Sequence, residues 1–230
     1  MTTILALDSA CASCSVALWC DGEVLAHAFE AMQRGQSERL VPMVDDVVAR
    51  SGLSMAAVDA VATTVGPGAF TGIRIGLSAA RGYGLALGKP VIGVTTTRVL
   101  AAMAGKTDRQ VLALVETKRA DIYAELFDAG INSLAGPQAL PVDQVAAWLD
   151  GRPTLLCGDG AARVMQPLIE VGCDVVQADS PNQPDAAVVA SLAAVRLAQE
   201  PASTFDLPPA PLYLRPPDVS QPKPLPPLRK

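Results

Sequence analysis

The stretch "ILALDSACASCSVALWCDGEVLAHAF", residues 4–29, holds three strand-like runs in succession. "TILALD", ending at Asp8, reads as a buried strand, "CSVALW" (14–19) alternates, and "EVLAHAF" (23–29) follows. Asp21-Gly22 between the last two runs is a hairpin signal. The hydrophobic period then changes. In "SERLVPMVDDVVARSG", Leu40, Val44, Val47 and Val48 fall along one helical face, while Asp45 and Asp46 lie on the solvated side. Pro42 lacks the N–H that a helix interior needs, so the helix either starts near it or kinks there.

Outward from this start, "AVDAVATTV" (57–65) reads as a strand, "GPGAFTG" (66–72) as a loop, and "IRIGLSAARGYGLAL" (73–87) as a helix ended by Gly88. "PVIGV" (90–94) is a strand and "TTRVLAAMA" a short helix. The order β-β-β-α-β-α-β-α then recurs. Strands "QVLALVET" (110–117) and "DIYAELF" (121–127) precede a weak third near 132–140, and a helix follows in "VDQVAAWL". "TLLCG" (154–158), a helix over 161–170, "DVVQA" and a helix over 184–199 complete the repeat. The recurring order implies an α/β fold of two similar halves, 1–105 and 106–200, around mixed sheets. Residues 201–230 hold ten of the 19 prolines and read as an extended tail. Leu212, Tyr213 and Leu214 are apolar anchors for its start, and the far end "SQPKPLPPLRK" reads as loose.

Half of the 230 residues are hydrophobic, enough for a sizeable core. The formal charge of −5 makes a poor nucleic-acid binder, because phosphate contacts need a basic face. No apolar run of about 18 residues suggests a membrane span, and the N-terminus lacks the basic and apolar regions of a signal peptide. A cytoplasmic address is therefore expected, where the five cysteines stay reduced.

The chemistry-bearing residues are few. Cys11-Ala12-Ser13-Cys14 is a CxxC, but no second pair completes a zinc set, and it lies between strands instead of opening a helix. It reads as structural, as does His27, the single histidine. Without a second histidine or a G-x-S-x-G elbow, no Ser/His/Asp set can be built. Asp8, Ser9 and Ser13 form a small polar hairpin loop of the kind that cradles phosphates and organises Mg²⁺ in one group of ATP-handling folds. The mirrored turn of the second half, Glu116-Thr117-Lys118-Arg119, carries long charged side chains and lacks the glycines of a second cradle. "CGDGA" (157–161) is a strand-to-helix turn or a turn near a nucleotide. "GPGAFTG" matches neither a Walker loop nor GxGxxG.

Gly72, Gly76, Ala80 and Gly84 recur every four residues on the helix that follows. Gly76, Gly82 and Gly84 together cost roughly 2–3 kcal/mol of helix propensity, which close packing must offset. That packing is either inside this chain or a helix–helix seam with another protein, with Arg74 and Arg81 at its rim.

"GPGAFTGIRIG" resembles the GPGSFTG(L/V)RIG signature of the bacterial TsaB (YeaZ) family. "ILALDSACASCSVALW" resembles its opening hairpin, "SERLVPMV" its first helix and "APLYLR" its end. The resemblance runs along essentially the whole chain. It departs at Gln36, where many relatives have His, at Glu116-Thr117-Lys118, where many have Asp-Ala-Arg, and at Ala69 in place of Ser.

The resemblance implies duplicated RNase H-like domains in the actin, sugar-kinase and Hsp70 (ASKHA) fold. It implies a non-catalytic scaffold that activates the transferase TsaD, with the ATPase TsaE, for N6-threonylcarbamoylation of tRNA adenosine 37. On this reading tRNA is met only indirectly, and no metal and no cofactor is tightly bound. ATP or ADP and Mg²⁺ act in the assembled complex, touching this chain at Asp8, Ser9 and Ser13. Docking through the first two helices would use Leu40, Val44, Val47, Gly72, Arg74, Gly76, Ala80, Arg81 and Gly84. The alternatives are a stand-alone kinase or ATPase of the same fold, and a homodimer formed when the partner is missing.

Overall fold

The computed structural model describes residues 1–215. Its first half runs β1 (Thr3–Asp8), β2 (Ser13–Cys20), β3 (Glu23–Ala31), α1 (Gln36–Ser51), β4 (Ala60–Thr64), α2 (Phe70–Leu87), β5 (Val91–Val94) and α3 (Thr96–Met103). The second runs β6 (Gln110–Glu116), β7 (Asp121–Phe127), β8 (Ser133–Pro141), α4 (Val145–Trp148), β9 (Thr154–Cys157), α5 (Ala161–Glu170), β10 (Val175–Gln177) and α6 (Ala186–Gln199). The two five-stranded sheets share one topology, β3-β2-β1-β4-β5 and β8-β7-β6-β9-β10. In each, the first three strands pair antiparallel and the last two add in parallel.

Local chemistry explains the boundaries. Asp21 and Gly22 both take positive φ, as a two-residue hairpin requires. Gly35 and Gly52 flank α1 in the left-handed region. Pro42 falls inside α1 rather than at its start, on the exposed side. Helix α2 begins at Phe70, three residues before the position that the periodicity marks, so Gly72 is helical. Gly88 ends it at φ 64, its N–H bonding back to the carbonyls of Gly84 and Leu85.

Strand alternation divides the core. Leu5, Leu7, Val16 and Leu18 face α1 and α2, burying Leu40, Val44, Val47 and Ala80. Ile4, Ala6, Ala17 and Ala62 face the other way and meet Ala186, Val189, Ala190 and Ala193 of α6. In the second sheet, Leu112, Leu114 and Ile122 face α4 and α5, while Val111, Ala113 and Phe127 meet Leu100 and Ala101 of α3. The division at 105/106 thus separates the two sheets but not the helices. Helix α6, from the second half, covers the first sheet, and α3, from the first half, covers the second.

The chain then turns back over both halves. Phe205, in the short helical turn Ala202–Phe205, joins the core beneath α6. Arg81 donates to the Pro209 carbonyl (2.6 Å), Leu212 N–H to the Val65 carbonyl (2.8 Å), and Arg74 Nε to the Tyr213 hydroxyl (2.7 Å). Arg215 pairs with Asp121 of β7. The proline-rich end is therefore fixed up to Arg215, and the stretch "SQPKPLPPLRK" lies outside the described residues. Among the described residues, no helix is long and apolar enough to cross a membrane.

Candidate functional site

The loop between β1 and β2 is the first site that the sequence marks. Asp8, Ser9 and Ser13 are all fully buried, at 0 % exposure. Asp8 Oδ1 accepts from Thr64 Oγ1 (2.6 Å) and from the Ala10 N–H (3.3 Å). Burial pushes its carboxyl up to about 7, with the Thr64 and Ala10 hydrogen bonds pulling the other way. The start of α2 fills the space in front of this loop. The Ser9 hydroxyl donates to the Gly72 carbonyl (2.9 Å), and the Ala69 N–H donates to the Ala10 carbonyl (2.7 Å). A β-carbon on Gly68 would stand 2.3 Å from the Ala10 carbonyl oxygen, and one on Gly72 would stand 2.1 Å from that of Ser9.

The small residues of both segments therefore exist for each other. Residues 68–72 thus pack on Ser9 and Ala10, while Asp8 Oδ2 and Ser13 Oγ are buried without a hydrogen-bond partner.

A cavity of about 650 Å³ opens between the two halves, lined among others by Ala12, Gln36, Phe70, Lys118, Asp159 and Tyr213. On its second-half wall, Glu116 pairs with Arg163 (2.8 Å), and the Glu116 N–H donates to Asp159 (2.9 Å). Lys118 takes φ 57 in the turn. Asp159 belongs to the "CGDGA" turn, and burial pushes its carboxyl above the ordinary range. Sequence reading did not single out Gln183, whose side chain reaches Asp159 (3.1 Å) and the Ala12 N–H (2.8 Å). No local motif marks it, because Ala12 lies 171 residues away in the chain.

Neither cysteine of the CxxC is set up as a reactive thiol. Cys11 and Cys14 are free and buried. Burial pushes the Cys11 thiol well up and that of Cys14 to about 12, the opposite of a reactive thiolate. Among the described residues no group of three His, Cys, Asp or Glu could hold a metal ion. His27 lies 2.9 Å from Asp185, the residue that caps α6 through the Ala187 N–H.

The family model for tRNA N6-adenosine threonylcarbamoyltransferase (TsaD) matches residues 23–205. Over 133 residues the chain is 43 % identical to the tRNA threonylcarbamoyladenosine biosynthesis protein TsaB of Escherichia coli (strain K12), a match that spans 57 % of each. The structure aligns with YeaZ from Pseudomonas aeruginosa at a TM-score of 0.78 and 30 % identity, covering 93 % of this chain and 100 % of that one. The chain belongs to the TsaB (YeaZ) family. A likeness to the ROK hexokinase of Thermus thermophilus, at TM-score 0.51 and 13 % identity over 86 % of this chain and 100 % of that one, shows the wider fold. It is the ASKHA type.

Of the docking residues that the TsaB resemblance implies, seven point inward in this chain. Leu40, Val44, Val47 and Ala80 are at most 1 % exposed, and Gly72, Gly76 and Gly84 are buried. All of them face this chain's own sheet. A β-carbon on Gly76 would meet Ser9 Oγ (3.0 Å) and Thr63 Oγ1 (3.1 Å), and one on Gly84 would meet Val91 Cγ2 (2.4 Å). The glycine row is thus an internal seam between α2 and the loop after β1, with strands β4 and β5. Arg74 and Arg81 are exposed, but both are engaged by the returning C-terminal segment. The outward surface of these helices consists of other residues. Leu85 is 87 % exposed and Val41 47 %, with Ser78, Gly82 and Asp45 beside them. Burial, and after it the charge of Asp45 on α1, raises the Tyr83 hydroxyl of α2.

Proposed function

We propose that this chain is a non-catalytic subunit in tRNA threonylcarbamoyladenosine biosynthesis, a scaffold that docks on the transferase TsaD and works with the ATPase TsaE. The observation that carries the reading is the packing of residues 68–72 onto Ser9 and Ala10. A fold whose relatives include a hexokinase here spends its first hairpin loop on seating its own helix. This weighs against a stand-alone kinase or ATPase. The charge of −5 supports a subunit that leaves the tRNA phosphates to its partners. ATP, ADP and Mg²⁺ then act in those partners.

The docking surface we propose is the outward side of α1 and α2, centred on Leu85 and Val41 instead of the buried glycine row. An exposed leucine beside Gly82 and Ser78 offers the apolar, low-relief surface on which another helix can lie. The same surface would pair two copies when the partner is missing.

The test is co-elution of the full chain with the transferase subunit. Leu85→Asp combined with Val41→Asp should abolish co-elution and leave the circular dichroism unchanged. Val195→Asp, on the exposed side of α6, serves as the control that retains it. Co-elution that survives the double substitution sinks the docking assignment. Nucleoside analysis of tRNA from a depleted strain tests the pathway itself, with loss of threonylcarbamoyladenosine expected. Micromolar ATP binding by the isolated chain, abolished by Asp8→Ala, would favour the kinase reading instead.

A further inference from the structure

Two loops face each other across the cavity, one from each half of the molecule. The β1–β2 loop presents the Ala12 N–H, and the end of β6 presents the Glu116 N–H. Neither donor is used by its own sheet. Buried or half-buried N–H groups need acceptors, and a cleft between two halves is where a ligand's oxygens commonly supply them. Here the chain supplies them. Gln183 Oε1 accepts from Ala12 N–H (2.8 Å), Gln183 Nε2 donates to Asp159 Oδ2 (3.1 Å), and Asp159 Oδ1 accepts from Glu116 N–H (2.9 Å).

We infer that Gln183 and Asp159 form an internal latch that ties the facing loops of the two halves together and holds the cleft in one arrangement without a ligand. The order of atoms is demanding. A group that joins an N–H to a carboxylate must accept at one end and donate at the other, and the primary amide of Gln183 does both. The amide orientation is fixed by the same requirement, since the reverse would set donor against donor at Ala12.

The backbone supports the placement. Pro184 is buried and restricts Gln183 to an extended conformation. Asp185 then caps α6, which is packed on the first sheet. Asp159 stands between β9 and α5 of the second half. Any ligand that reaches the Ala12 N–H must therefore displace the Gln183 amide.

The latch is distinguishable from two unrelated local bonds. Asp159→Asn keeps the acceptor for Glu116 but turns an N–H₂ toward the Gln183 N–H₂. Gln183→Glu keeps the acceptor for Ala12 but sets a carboxylate against Asp159. The combined Gln183→Glu/Asp159→Asn restores a complementary pair with the roles exchanged. The experiment is amide hydrogen exchange on the full chain, following Ala12 and Glu116. Asp159→Asn alters the second half, and the Asp159 side chain bonds Glu116 and Gln183, not Ala12. It should nevertheless speed exchange at Ala12 by about tenfold, as should Gln183→Glu. The double variant should return both amides to within a factor of about two of the unaltered chain. Unchanged exchange at Ala12 in Asp159→Asn overturns the latch. So does a double variant that fails to recover, whether folded or not.

Discussion

Gly72 and Ser9 approach so closely that a β-carbon on the glycine would stand 2.1 Å from the serine carbonyl oxygen. The obstacle is backbone held in β1 and its loop, so no side chain can swing aside. Gly72→Ala is therefore expected to cost about 3 kcal/mol or more in urea unfolding, at the upper end of overpacking effects. Gly82, on the same helix, has nothing within 4 Å of its added β-carbon. There the intrinsic preference of alanine decides, and Gly82→Ala should stabilise by about 0.5–1 kcal/mol. Opposite signs at two glycines of one helix are the expected result. A neutral Gly72→Ala would mean that α2 does not seat on the hairpin as described.

Asp8 gives a pH dependence with a definite sign. Its carboxyl is raised by burial from 3.8 to about 7 in the folded chain. The folded state thus holds a proton that the unfolded chain releases above about pH 4. Stability from this group is fully present below that pH and is lost as the pH rises toward and through 7. Asp8→Asn removes the titration while keeping an acceptor for Thr64. The variant should gain roughly 1–3 kcal/mol relative to the unaltered chain at pH 8 and little at pH 4. Urea midpoints at the two pH values check it, and a larger gain at the lower pH would reverse the assignment.

The exchange of helices between the halves predicts that neither half folds alone. A chain of residues 1–105 lacks α6, leaving the face with Ile4, Ala6, Ala17 and Ala62 uncovered. A sheet with one bare apolar face binds hydrophobic dyes and aggregates. Mixing it with 106–230 should restore a folded complex, seen as sharpened amide resonances. A stable, monomeric 1–105 would show that α6 is dispensable to the first sheet.

The element order was readable because period-two and helical patterns alternate cleanly, from "ILALD" to the last helix. What covers each apolar face was not. Leu40, Val44 and Val47 make the same stripe whether a partner or the chain's own sheet lies against them. Gly72, Gly76 and Gly84 likewise announce a close approach without saying from which side. Asp8, Ser9 and Ser13 look like a cradle because small polar loops seat both phosphates and backbone, and only the fold shows residues 68–72 in place. Gln183 had no local signal at all. Its significance lies in two hydrogen bonds, to residues 171 and 24 positions away.

The returning C-terminal segment should prove to be anchored from its beginning. Phe205 is 9 % exposed and packs in the core beneath α6, with Arg196 over its ring. Tyr213 is 40 % exposed and offers a ring contact with Phe70 at 5.2 Å and one hydrogen bond from Arg74. Phe205→Ala removes a buried aromatic and leaves a cavity, at about 3 kcal/mol. Tyr213→Ala loses a half-exposed ring and its bond, at about 1 kcal/mol. Tyr213→Phe isolates the hydroxyl and should cost about 0.5 kcal/mol, since Arg74 keeps its contact with water and with the Phe70 ring. Urea unfolding of the three variants should therefore rank them in that order. If Tyr213→Ala proves the costlier of the two alanine variants, the segment is held chiefly at its far end, by Tyr213 and the Arg215–Asp121 pair, and Phe205 is an incidental contact.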